Sequence, residues 1–495
     1  MGLNFTKHRK PFTFVSMNPK VTMKKIPFVS LCFLLGLLLY SACKNEPIQP
    51  EEPGEPDYLA APSGTTPIPA NQQRNGDAEA GREYLLYGDY VSSGIPIDVF
   101  NFAFDGDGNL LNRTGDNADL PYDFTAINAS NGVRIAAANC FTCHAQVLDG
   151  QLILGLGNSL ADFTDDQSSV VPTVDAAINF LHGANSPERE AYEPFRRSAL
   201  VTGPLLIAET KGVNPAAELT AILAAHRDPQ TLEWQADPSY EIGTLGVPSD
   251  VPAWWLLKKK NAQFYNGAGR GDFTKFTMAS GMLTLKDSAE ASAIYQHFGD
   301  VLAFLFELEA PDYPEVVDAT KVAQGESLFY KNCAKCHGTY GDSPTYPNLL
   351  VASTTIGTDP LYAQTATTNE FFLDWWNNGW FGQALQTSWL QPFDGYIAPP
   401  LDGIWATAPY LHNGSVPNLE TLLNSSKRPT YWRRSFTNPQ YDYSAVGWQF
   451  TIESSGNNKA IYDTTLPGYG NQGHVYGDVF TDEERSAVIE YLKTI

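Results

Sequence analysis

Cys333-Ala334-Lys335-Cys336-His337 places two thiols three residues apart, with a histidine directly after the second. That spacing suits covalent haem, because both vinyl groups can be captured as thioethers while the imidazole coordinates iron. The pattern recurs 193 residues earlier as Cys140-Phe141-Thr142-Cys143-His144, and the two motifs hold every cysteine downstream of Cys43. Zinc sites need two such thiol pairs in one fold, and thioredoxin-like redox pairs need no following histidine. We therefore read two c-type haem sites, with iron ligands at His144 and His337.

What fills the opposite face of each iron decides function. A sulfur or a second imidazole closes the iron for electron carriage, whereas an open face lets dioxygen or peroxide bind. The methionines are Met1, Met17, Met23, Met278 and Met282, so none follows the second motif. After His337 the only histidines are His412 and His474, and if an imidazole of the same domain closes that site, one of these two does so. For the first site the candidates are His182, His226 and His297, none in a recognisable motif. Nothing compels a sixth ligand there, which makes the site on His144 the reacting one.

The most unusual chemistry outside the motifs lies in Trp254-Trp255 and the following Lys258-Lys259-Lys260. Paired tryptophans ordinarily pack a core, but between two haems a tryptophan can relay electrons. A lysine run is ordinarily a solvated face; in so acidic a chain it can also neutralise haem propionates or receive a partner. Asp105-Gly106-Asp107-Gly108-Asn109 invites a calcium reading, yet an EF-hand loop wants glycine where Leu110 stands and a bidentate Glu where Asp116 stands. A hairpin turn between residues 102–104 and 110–111 is the better expectation, and calcium is left without a clear motif.

These residues need elements to hold them. Helical spacing is expected over 78–86, over the alanine-rich stretch 132–138 that would carry the first cysteine pair at its end, and around 175–181, 216–226 and 252–264. Residues 155–164 read as a loop. Val322, Gly325, Leu328, Phe329 and Tyr330 give an amphipathic helix ahead of Cys333. At the other end Thr481 caps a helix with Asp482 and Glu483 in its first turn and Val488, Tyr491 and Leu492 as its apolar stripe. A first and a last helix crossing beside the haem is the cytochrome c arrangement. The expected fold is mainly α: two cytochrome c-like haem domains in tandem, residues 75–312 and 313–495, with loop-rich insertions.

The chain ahead of them reads as an export signal. Met23-Lys24-Lys25, an apolar run over 26–40 and Ser41-Ala42 before Cys43 match a secretory segment over residues 1–43, with Met23 as the start. The pattern resembles a bacterial lipoprotein signal that leaves Cys43 as a lipidated N-terminus, although Tyr40 stands where leucine is usual. Residues 44–74, rich in Pro, Glu and Gly, read as a flexible tether. The expected location is therefore outside the cytoplasm, lipid-anchored to a bacterial membrane, on the periplasmic side or at the cell surface. The 495 residues carry a formal charge of -23, which excludes nucleic acid as a natural partner and suits steering of a basic electron-transfer protein.

With the motifs in place, the segment Ala398-Pro399-Pro400-Leu401-Asp402-Gly403-Ile404-Trp405-Ala406-Thr407-Ala408-Pro409-Tyr410-Leu411-His412-Asn413-Gly414-Ser415 resembles the signature of bacterial di-haem cytochrome c peroxidases. That superfamily includes the tryptophylquinone-forming di-haem enzyme and the rubber oxygenases. The run from Trp254 to Lys260, the stretch from Trp405 to His412 and the closing Gly473-His474-Val475-Tyr476-Gly477 are most similar to the rubber oxygenase branch. The resemblance implies two covalently bound haem c groups. It also implies His474 as the distal ligand of the second haem, since the methionine of the peroxidases is replaced here by Ser426. His412 would support that pocket through hydrogen bonds, and Trp254 or Trp255 would lie between the haems. The peroxidases' displaceable histidine has no counterpart, Leu160 standing at about its place. The expected function is a haem-dependent oxidoreductase that activates dioxygen at the first haem, with the second as electron reservoir and an apolar unsaturated substrate. The alternatives are a peroxidase that reduces hydrogen peroxide with electrons from a small redox protein, and a non-catalytic electron-transfer cytochrome.

Overall fold

In the computed structural model the described residues are 61–495, apart from 105 and 243–245. Cys43 and the apolar run before it therefore lie outside the described residues. Two apolar cores dominate, and they meet at a pair of consecutive side chains: Trp254 packs in one core with Phe141, Met278, Met282 and Phe298, whereas Trp255 packs in the other with Phe329, Tyr410, Trp448 and Tyr491. Both sit in a short 3-10 helix, Trp254–Lys259. With about three residues per turn, neighbouring side chains in such a helix point roughly 120° apart, so two adjacent rings can enter separate cores. The stretch 252–264, expected as a longer helix, is regular only over this part.

Each core is closed by a pair of helices crossing at a glycine. Ala319–Asn332 crosses Asp482–Leu492, where a Cβ on Gly325 would stand 1.9 Å from the Ala487 carbonyl oxygen. Ala78–Tyr87 crosses Ser288–Glu307, where a Cβ on Gly81 would stand 2.0 Å from the Asp300 carbonyl oxygen. Only a residue without a side chain lets the backbones approach so closely. Asp77, Asp287 and Asp318 cap three of these helices through their carboxylates, and Thr481 with Glu484 forms a capping box on the fourth.

Chain segments are exchanged between the cores. Trp375, Trp376, Trp380 and Phe381, far along the sequence, fill the core of Phe141, and Leu148 and Leu156 fill the core of Phe329. Strand Ser388–Leu390 correspondingly pairs with Gly269–Gly271. The sheets among the described residues are small and antiparallel.

Three local expectations are corrected. The alanine-rich stretch before the first motif is a strand, Arg134–Ala138, the centre of a sheet between Ile95–Pro96 and Phe124–Asn128. Ile135, Ala136 and Ala137 are buried, and the ladder overrides the helix propensity of the alanines. Residues 102 and 103 close a helix, Ile97–Ala103, instead of opening a hairpin. Beyond it Asp107 accepts from the amides of Asn109, Leu110 and Tyr122, an aspartate-closed turn, while Asp105 lies outside the described residues. The supposed tether is ordered well before residue 74: Thr65–Pro67 pairs with Leu349–Ala352, Ile68 is buried, and Arg74 donates to the Tyr295 carbonyl at 2.5 Å.

Candidate functional site

The first thiol pair is set by Asn139 at the end of the central strand. Its carboxamide donates to Tyr122 O and Thr125 Oγ1 and accepts from the Phe141 amide at 2.9 Å, starting the one-turn helix Phe141–His144. That turn brings Cys140, Cys143 and His144 to one side. Tyr90 and Ser280 reach the Cys140 thiol, and Asn214 Nδ2 donates to Cys143 Sγ at 3.2 Å. The His144 ring lies flat on Trp254, centroids 4.5 Å apart at 18°, and its Nδ1 is buried without a partner. Burial holds this imidazole neutral, pushing its pKa down to about 3, which leaves a lone pair free for a metal.

The second pair follows directly from its helix. Cys333 is the C-cap of Ala319–Asn332, and Ala334–His337 adds one more turn. His337 Nδ1 donates to the Pro399 carbonyl at 2.8 Å, which fixes the tautomer and leaves the Nε2 lone pair free for a metal. Facing it is His474, ring centroids 6.1 Å apart at 64°. Two metal–nitrogen bonds of about 2 Å plus the two ring radii sum to roughly 6 Å, the separation of imidazoles that sandwich one metal. Burial first, then the nearby His337 and Arg428, push the His474 pKa down to about 3.

The remaining histidines are engaged elsewhere. His412 stacks on Tyr396 with centroids 4.1 Å apart, and its carbonyl accepts from the Asp250 amide. Its Nε2 is buried without a hydrogen-bond partner among the described residues. His182 pairs with Asp98 at 2.8 Å, His226 Nδ1 bonds the Gln235 carbonyl, and His297 stacks on Tyr84. Ser426 is exposed and bonds Asn424, and Leu160 packs against the second core.

Between the two motifs runs the short helix of the paired tryptophans. Trp254 covers His144, and Trp255 Nε1 donates to the Asp402 carbonyl at 2.9 Å. Lys259 Nζ binds the Asp402 carboxylate at 2.6 Å and sits 5.1 Å above the Tyr340 ring, whose hydroxyl donates to the His337 carbonyl. One six-residue element thus touches the surroundings of both histidines. The lysines are more than a solvated face: Lys258 pairs with Glu309, Lys259 with Asp402, and burial pushes Lys260 down to about 8.

The residues present fit haem c. Each motif sets two thiols, raised by burial and in no disulfide, beside a buried imidazole whose pKa burial lowers. Sequence reasoning missed Pro399, Tyr340, Asp402, Asn139 and Asn214, because no motif marks a carbonyl or a carboxamide that acquires its role by proximity. It also missed two half-buried acids, Asp250 bonded to the Tyr265 hydroxyl at 2.8 Å and Glu218, both pushed up to about 7 by desolvation. Among the described residues no group of three or more His, Cys, Asp or Glu is placed to hold a metal ion.

Residues 395–433 match the family described as RoxA-like, cytochrome c-like. The matched stretch contains Pro399 and the Trp405 to His412 segment. The chain is similar to the uncharacterized protein y4iM of Sinorhizobium fredii, 27% identical over 301 residues, which is 51% of this chain and 66% of that protein. It is also similar to the uncharacterized protein y4iJ of the same organism, 43% identical over 111 residues, or 20% of this chain and 18% of that protein. The chain thus spans just under two thirds of one curated relative and less than a fifth of the other. The family match supports a RoxA-like cytochrome c family, and with it haem c, electron transfer and a haem oxidoreductase.

Proposed function

We propose that this chain carries two haem c groups and uses them asymmetrically, as an oxidoreductase that activates dioxygen at the first site and holds electrons at the second. Haem iron, when bound, supplies the one-electron chemistry and a place for dioxygen or peroxide. Cys140 and Cys143 tether the first group and His144 holds it, with Trp254 packed on that imidazole. Cys333 and Cys336 tether the second, His337 and His474 close it, and the helix of Trp254 and Trp255 lies between them as the route for electrons.

The observation that carries this reading is the contrast between the two histidines. His337 is faced by a second imidazole at 6.1 Å, whereas among the described residues no imidazole is in ring contact with His144, whose stacking partner is Trp254. A site closed on both faces stores or passes electrons; one with a free face can bind an oxidant. An apolar unsaturated compound as substrate, a small redox protein as electron partner, and a lipid anchor at Cys43 complete the proposal. No described helix is long and apolar enough to cross a membrane.

The test is low-temperature EPR with optical spectra on the oxidised holoprotein. One open haem beside one low-spin bis-histidine haem is expected, and His474→Gly should convert the low-spin signal to high spin. Two low-spin haems that stay closed after one-electron reduction overturn the enzyme reading and leave an electron carrier. Oxygen uptake with an alkene then separates the oxygenase from a peroxidase, which would instead consume peroxide with a reduced donor.

A further inference from the structure

His474 sits on a loop with no regular structure of its own, in a backbone conformation that side chains other than glycine rarely adopt: φ is 45° at His474 and 73° at Gly473. A ligand on such a loop keeps its place only if something else holds the backbone. The holder is Arg428. Its Nη1 donates to the carbonyls of Asn471 and Gly473, both at 2.6 Å, and its Nη2 to that of His474 at 3.0 Å. The same side chain donates from Nη2 to Leu422 O at 2.9 Å and from Nε to Thr421 O at 3.3 Å, at the end of the helix Leu419–Leu422.

A guanidinium has five N–H donors in a rigid fork, and here five carbonyls take them: three from the loop and two from the helix end. Lysine, with three donors on one atom, cannot reproduce that pattern. Asn471 Nδ2 returns a bond to the Pro429 carbonyl at 2.9 Å, and the His474 amide is anchored on the Ile356 carbonyl at 2.8 Å. On the far side, a Cβ on Gly473 would stand 2.1 Å from the Gly357 carbonyl carbon, so the loop has no room to move that way.

We propose that Arg428 is the positioning residue of the second haem site, the latch that fixes the His474 imidazole opposite His337. The inference rests on the reading of His474 as that haem's ligand. Arg428 touches neither iron nor substrate; it acts by denying the loop alternative conformations in which the imidazole points away. Its removal leaves three loop carbonyls without their donor and lets the ligand dissociate.

The experiment uses the full-length holoprotein as Arg428→Gln and Arg428→Lys, with His474→Gly as reference, read by EPR and optical spectra. Both arginine variants should lower the ratio of closed to open second haem by about tenfold or more, the factor expected when a hydrogen bond to a charged group is lost. Without any added ligand the signal of the first haem should match that of the parent, which separates ligand release from general misfolding. If His474→Gly opens the second haem while both arginine variants stay fully closed, the latch is overturned and the ligand reading stands. If His474→Gly leaves the haem closed, the ligand reading itself fails. Should Arg428→Gln not accumulate, the milder Arg428→Lys carries the test, and a parental ratio of closed to open second haem in it refutes the latch.

Discussion

Replacing Gly325 by alanine tests the packing that brackets the second motif. The added methyl would stand 1.9 Å from the Ala487 oxygen, 2.5 Å from its carbonyl carbon and 2.9 Å from the Tyr491 Cβ, all of them rigid atoms. Ordinary contact between heavy atoms lies near about 3.5 Å, so one helix must retreat by roughly 1.5 Å. The helices are pinned on both sides of the crossing. Lys321 Nζ donates to Ser486 Oγ, the Asp318 amide to Glu490, and Phe329 lies 5.3 Å from Tyr491. Overpacking of this kind costs about 3 kcal/mol or somewhat more. Alanine's better helix propensity returns about 1 kcal/mol, leaving a net loss of about 2 kcal/mol. Denaturant unfolding of the holoprotein should show a lower midpoint at unchanged slope. Gly81→Ala, at the other crossing, should behave alike, with its Cβ 2.0 Å from the Asp300 oxygen. A Gly325→Ala protein as stable as the parent would mean that propensity alone governs the position, and the close crossing would be refuted.

Glu218 sets a pH dependence. Burial raises its carboxyl from an ordinary 4.5 to about 7, so between those values the folded state binds more protons than the unfolded one. Its contribution is fully present below about pH 4.5 and is lost as pH rises through about 7; Glu218→Gln should flatten that slope and be more stable than the parent above pH 7, and superimposable stability profiles would refute it. Trp255→Phe removes the bond to the Asp402 carbonyl and leaves a small cavity in a fully buried site, costing about 2 kcal/mol or more in the same unfolding assay. Cys43→Ser should move the protein from the detergent phase to the aqueous phase in phase separation; unchanged partitioning argues against a lipid on that residue.

Part of this plan was readable without coordinates because the chemistry is local. Covalent haem attachment needs two thiols and one imidazole within five consecutive residues, and the helices ending at Asn332 and starting at Asp482 carry their own caps and apolar stripes. Alanine-rich 134–138 misled for the complementary reason: intrinsic propensity is weak, and a strand between two partners decides the matter by burial. The turn around Asp107 was legible from its local residues, whereas the early start of order at Thr65 was hidden because it depends on a strand far along the chain, Leu349–Ala352.

By itself the sequence determined which residues can bind haem, how many such motifs there are, and the short inventory of side chains able to close an iron. It left His412 and His474 as equals on residue type. The tertiary structure turns His474 toward His337 across 137 positions of chain and stacks His412 on Tyr396. It likewise sent Trp254 to His144 and Trp255 into the other core, and gave Arg428 five carbonyls to hold. The physical reason is common to all three. A ligand's identity is a property of its own atoms, whereas its direction is fixed by the packing and hydrogen bonds of backbone that the sequence brings together only when the whole chain has folded.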